Sequence, residues 1–81
     1  MEVGVARNGV PITTGARVRV IGTPSGVKLA THLGTVVGSD QELDGYYVVR
    51  LDEPAISYCS GADEPLPEIL EADDNLIVLP G

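Results

Sequence analysis

The chain has no tryptophan, no phenylalanine, one cysteine, one histidine and only five basic residues among its 81. Each scarcity closes off a class of chemistry. With Cys59 as the sole cysteine, no disulfide can form within the chain, and the lone thiol suits a reducing compartment. One cysteine and one histidine are too few for a structural zinc site. Three tyrosines, Tyr46, Tyr47 and Tyr58, are the whole aromatic supply. That is thin for an aromatic cage around a methylated cation or a shelf for proline-rich peptides. No apolar run approaches the roughly 20 residues that cross a bilayer, and no charged-then-apolar leader opens the chain. A cytoplasmic protein without membrane contact is therefore expected.

Basic residues are scarce in a telling proportion. Twelve acidic side chains oppose Arg7, Arg17, Arg19, Lys28 and Arg50, for a formal charge of −7. Nucleic-acid binding draws much of its affinity from cations that neutralise phosphates, so this balance disfavours it. Arg17, Arg19 and Arg50 would form a local positive patch only if their strands pair. The overall field suits a basic protein partner better, or simply keeps a small domain soluble.

What the sequence does contain is strand material. At this length about 60–65% of the unfolded chain's surface can be buried, which allows one small core. The longest β-prone run is Tyr46-Tyr-Val-Val-Arg-Leu-Asp-Glu-Pro54. In it Tyr47, Val49 and Leu51 share one face, expected in the core, and Tyr46, Val48, Arg50 and Asp52 share the other. Ala16–Gly22 alternates in the same way, with Ala16, Val18 and Val20 opposite Arg17 and Arg19. Leu33–Gly38 is β-branched and bounded by glycine. Glu68–Ala72 and Leu76–Leu79 complete the strands, separated by a polar turn, Asp73–Asn75. Between strands lie an excursion, Thr23–His32, an acidic connection, Ser39–Gly45, and an irregular segment, Ala55–Pro67, that carries Pro65, Pro67, Gly61 and Cys59. Irregular stretches of that length in compact domains are commonly functional or mobile.

Four pieces in this order, Gly15-Ala-Arg-Val-Arg-Val20, Leu33-Gly-Thr-Val-Val37, Tyr46-Tyr-Val-Val-Arg-Leu-Asp52 and Ala72-Asp-Asp-Asn-Leu-Ile-Val-Leu79, resemble an SH3-like small barrel. The likeness is nearer to the bacterial and ribosomal branch, including the KOW type and the small-barrel subunits of redox and nitrile-hydrating enzymes, than to proline-binding domains. It implies an all-β fold: a five-stranded SH3-like barrel over residues 15–81 with a long irregular loop before the fourth strand, preceded by an N-terminal extension over 1–14. In that resemblance Thr23–His32 takes the place of the long first loop and Asp73–Asn75 that of a 3₁₀ turn. Ala55–Pro67 departs from it, since the matching hairpin is usually tight.

No reaction emerges from the remaining motifs. Gly22-Thr-Pro-Ser-Gly-Val-Lys28 lacks the adjacent Gly-Lys-[Ser/Thr] that opens a helix in a phosphate loop. His32 has no nucleophile or orienting carboxylate at a telling spacing, and Cys59 has no second cysteine beside it. Glu71, Asp73 and Asp74 lack the spaced ligands of a calcium loop and read as a solvated turn. The expectation is a non-enzymatic protein-interaction or accessory module acting through an acidic loop surface, with no cofactor, no metal and no catalytic residue. Its alternatives are a nucleic-acid- or ribosome-associated KOW-like barrel and an accessory subunit of a redox or hydratase enzyme. Candidate partner-binding residues are Tyr46, Val48 and Arg50 on the outer strand face, with Tyr58, Cys59, Asp63 and Glu64 in the irregular segment. The sequence leaves the oligomeric state open.

Overall fold

The computed structural model describes residues 4–58 and 63–80. Among the described residues six strands form one sheet: β1 (Arg17–Val20), β2 (Val27–Lys28), β3 (Leu33–Ser39), β4 (Tyr46–Ser57), β5 (Glu64–Ala72) and β6 (Leu76–Val78). Their order is β2-β4-β3-β1-β6, and β5 also pairs with β4, every pairing being antiparallel. A 3₁₀ turn, Asp73–Asn75, joins β5 to β6.

Alternation in β1 and β4 decides which face is inside. Val18 and Val20 are buried while Arg19 is exposed, and Tyr47, Val49 and Leu51 are buried as their parity requires. Val36, Ile69 and Leu76 complete that packing, joined by Val27 and Ala55. Residues ahead of β1 also belong to it. Val5 and Pro11 form an isolated bridge, Ala6 and Ile12 are buried, and the Gly4 amide donates to the Tyr47 hydroxyl at 2.9 Å. The Arg7 amide donates to the Leu76 carbonyl, and Asn8 exchanges two hydrogen bonds with the Val78 backbone.

Two irregularities shape β4. A one-residue bulge in β3 leaves Val37 between the Val36↔Val49 and Gly38↔Val48 pairs. Such an insertion bends and twists the strand. Nearby, β3 and β4 approach so closely that a Cβ on Gly34 would lie 2.6 Å from the Arg50 carbonyl oxygen. The larger irregularity lies between β4 and β5. Their register runs from Tyr46↔Ala72 to Arg50↔Glu68, then resumes at Ala55↔Leu66 and ends at Ser57↔Glu64. Leu51–Pro54 on β4 thus stand opposite Pro67 alone, so three extra residues are taken up there.

These features correct the expected architecture. The sheet is open and six-stranded, not a closed five-stranded SH3-like barrel, and the resemblance to SH3-like and KOW-type domains does not hold. Closure would require a second partner for β5 or β6. Among the described residues β5 pairs only with β4, and β6 only with β1. Pro65 and Pro67 have no amide to donate, which suits β5 to an edge position, and β6 is only three residues long. The irregular loop expected over Ala55–Pro67 is also corrected. β4 continues through Pro54 to Ser57, β5 already begins at Glu64, and β2 pairs with Ile56 and Ser57 on the opposite side of β4.

Candidate functional site

The β4–β5 hairpin divides the expected partner-binding residues into two groups. Tyr46, Val48 and Arg50 project together from the outer face at its proximal end. Tyr58, Asp63 and Glu64 lie at the opposite end, where the Tyr58 amide donates to the Gly26 carbonyl at 3.0 Å and Glu64 pairs with Ser57. From Arg50 to Tyr58 is eight residues of chain, up to roughly 26 Å when extended. Cys59 lies outside the described residues.

The proximal group is larger than the sequence suggested. Val48 stands opposite Leu70, and Tyr46 opposite Ala72. Leu70 and Tyr46 are each 38% exposed, and Val37 projects from the neighbouring strand at the β3 bulge. Leu70 could have been found from parity alone, because Glu68, Leu70 and Ala72 share a face opposite Ile69 and Glu71. Among the described residues no further strand or helix covers this face.

Beside it runs an acidic rim built from two connections. In the 40–45 loop, Asp40 Oδ2 accepts the Glu42 and Leu43 amides at 3.0 and 2.7 Å, which fixes the turn. Gly45 ends that loop at φ +79°, a conformation glycine adopts without a Cβ clash. The Asp73 amide donates to the Gly45 carbonyl at 2.9 Å, tying the 3₁₀ turn to the same end of the hairpin. The two connections that carry Asp40, Glu42, Asp44, Asp73 and Asp74 thereby meet at the end of the hairpin that bears Tyr46. Among the described residues the ion pairs are Arg17–Asp52 and Arg50–Glu68, so none of these five carboxylates has a cationic partner within ion-pair distance.

Those two ion pairs also answer the question of a positive patch. Arg17 makes two 2.6 Å hydrogen bonds to the carboxylate oxygens of Asp52 and a third, at 3.0 Å, to Thr35 Oγ1. This fork holds the Asp52 carboxyl below its usual range, against a smaller opposing effect of desolvation. Arg50 donates to Glu68 Oε2 from both Nε and Nη2, at 3.2 and 3.0 Å. Two of the three arginines that would have formed a phosphate-binding stripe are thus engaged by carboxylates.

Glu71 does not belong to a solvated turn as its charge suggests. It is only 6% exposed, facing inward with Ile69, and its Oε2 accepts from Asn75 Nδ2 at 3.1 Å. Desolvation pushes its carboxyl above the usual range. The Asn75 hydrogen bond acts in the opposite sense, and nearby Asp74 adds a further push upward. Because the side chain is spent on that internal contact, it is not available to the rim.

His32 Nδ1 lies 2.9 Å from the Val20 carbonyl oxygen, which can only accept, so that nitrogen carries the proton. The histidine thereby pins the 22–32 excursion to β1. Among the described residues no group of three or more histidine, cysteine or acidic side chains is placed to hold a metal ion. No described helix is long and apolar enough to cross a membrane.

No family model matches the chain, and neither a curated protein nor a solved structure matches it.

Proposed function

We propose that this chain is a non-catalytic interaction module whose working surface is the proximal end of the β4–β5 hairpin, and that its partner is a basic protein. One observation carries the reading: an outward apolar face, Tyr46, Val48 and Leu70, adjoins a rim of five carboxylates that have no ion-pair partner among the described residues. The two parts have complementary uses. Apolar area left in water contributes favourably when a partner covers it, offset in part by the motional freedom that association costs. Like charges at the rim accelerate encounter with a cationic surface and reject anionic ones, an effect that salt screens. The strands beneath are paired on both sides of β4, which holds the face in shape before binding. A cytoplasmic setting fits this reading.

The test is affinity capture from native extract with three forms of the chain. One is unaltered, one carries Glu42→Gln, Asp44→Asn and Asp74→Asn, and one carries Tyr46→Ser and Leu70→Ser. A basic protein retained by the unaltered chain and lost by both variants is the expected result. Its association should also slow clearly between low and physiological salt. Retention of the same protein by both variants, or recovery of nucleic acid alone, would overturn the proposal.

A further inference from the structure

The outer edge of β5 adds a mode of binding to this surface. The Asp73 amide bonds to the Gly45 carbonyl, and the Tyr46 carbonyl is turned the other way, accepting the Asp40 amide at 2.9 Å. Backbone direction alternates along an antiparallel ladder. Tyr47 and Val49 therefore bond to Glu71 and Ile69, while the amides and carbonyls of Glu68, Leu70 and Ala72 point away from β4. Among the described residues no strand pairs with that edge. The two prolines of β5, at 65 and 67, lie outside this segment. So one half of β5 is blunted against pairing, and the half beside the acidic rim is not.

We infer that residues 68–72 of β5 accept an extended segment of a basic protein as an added strand. The inference rests on the reading of the proximal end as the docking surface, and it specifies the partner's conformation and pattern. On the outer face, a cation on the incoming strand meets Glu68, an apolar side chain meets Leu70, and a second cation meets the Asp73–Asp74 end of the rim. Alternate residues of a strand share a face, so the recognised pattern is basic, any, apolar, any, basic. Both hydrogen bonds from Arg50 go to Glu68 Oε2, so no bond from Arg50 occupies Oε1. A second copy of this chain is the poorer occupant. Each copy carries −7, and antiparallel pairing of two β5 edges would set Glu68 of one copy beside the Asp73–Asp74 end of the other and Ala72 beside its Glu68, so neither position receives a new cation.

The probe is a synthetic peptide with lysine, threonine, valine, threonine and lysine as its core. It is compared with the same peptide N-methylated at alternate backbone amides and with oligolysine. Amide exchange and shift changes are followed by NMR in the unaltered chain and in Leu70→Pro, which removes an outward amide and leaves the ladder to β4 intact. Strand addition predicts slower exchange at Glu68, Leu70 and Ala72. It also predicts about tenfold weaker binding on N-methylation, the scale of one or two lost hydrogen bonds, and at least as large a loss in Leu70→Pro, which removes the apolar contact together with the amide. If the N-methylated peptide binds the rim equally well, strand addition is overturned while the acidic docking surface stands. If none of the peptides, oligolysine included, binds, both readings fall. Self-association of the chain through this edge without peptide would also overturn the inference, because a second copy would hold the site.

Discussion

The two ends of the β4–β5 hairpin are built from the same pair of strands and differ in almost every physical respect. At the proximal end, residues 46–50 of β4 lie between β3 and β5, and Tyr47, Val49 and Ile69 fill the inward side. At the distal end, residues 55–57 pair with 64–66 and with the two-residue strand β2. Its inward side offers the small Ala55 and the half-buried Leu66. The register break at Leu51–Pro54 separates the two and allows each its own pairing. The difference teaches that one ladder can carry two segments of unequal firmness, set by what each packs against and how far its pairing runs. The proximal end has the larger inward side chains and the longer partners on either side of β4, and it is also where the apolar face and the acidic rim are mounted.

The largest expected effect breaks this contrast directly. Ile69→Ala empties a buried site against Val49 and should cost about 2–5 kcal/mol. That is a large part of the stability of a domain of this size, commonly about 5 kcal/mol or somewhat more. Ile56→Ala, at a half-buried distal position, should cost about 1 kcal/mol or less. Equilibrium urea unfolding of the two variants checks the difference, and equal losses would mean that the core spans both ends evenly.

A smaller effect sharpens the account of the proximal end. Burial raises the Glu71 carboxyl, so the folded chain holds that proton to higher pH than the unfolded chain does. The stability tied to Glu71 is therefore fully present below its unfolded value and is lost as pH rises through its raised native value. Glu71→Gln keeps an acceptor for Asn75 and removes the loss. Its stability should gain on the unaltered chain as pH is raised from about 3 to about 7. Denaturation midpoints across that range test this, and a growing deficit of the variant at neutral pH would contradict it.

Strand parity was legible in the sequence wherever one face is buried. Val18 and Val20 against Arg17 and Arg19, and Tyr47, Val49 and Leu51 against Tyr46 and Arg50, sort as alternation demands. The short turn Asp73–Asn75 was also recognisable from its side chains. Closure was not legible, because alternation describes each strand and says nothing about which distant edges meet. The prolines misled for a definite reason. Pro54 sits at the register break and Pro65 and Pro67 on an edge strand, the places where a missing amide is tolerated, yet in sequence they read as breakers. Glu71 was assigned to solvent by its charge, although its parity with Ile69 placed it inside. Of the site, Tyr46, Val48 and Arg50 were visible as one face. Leu70 was legible by the parity of its own strand, whereas its place beside Val48 and the joining of two acidic connections depended on the β4–β5 register, which no local pattern supplies.

Native-state amide exchange tests the central claim most directly, because it reads the two ends and the open edge in one measurement. Tyr47, Val49, Ile69 and Glu71 should exchange only through global unfolding, Ala55–Ser57 through smaller openings, and Glu68, Leu70 and Ala72 rapidly, alternating with their slow neighbours. Slow exchange at Leu70 in the isolated chain would show that the β5 edge is already occupied. That result would contradict a firm proximal surface with a strand-accepting edge.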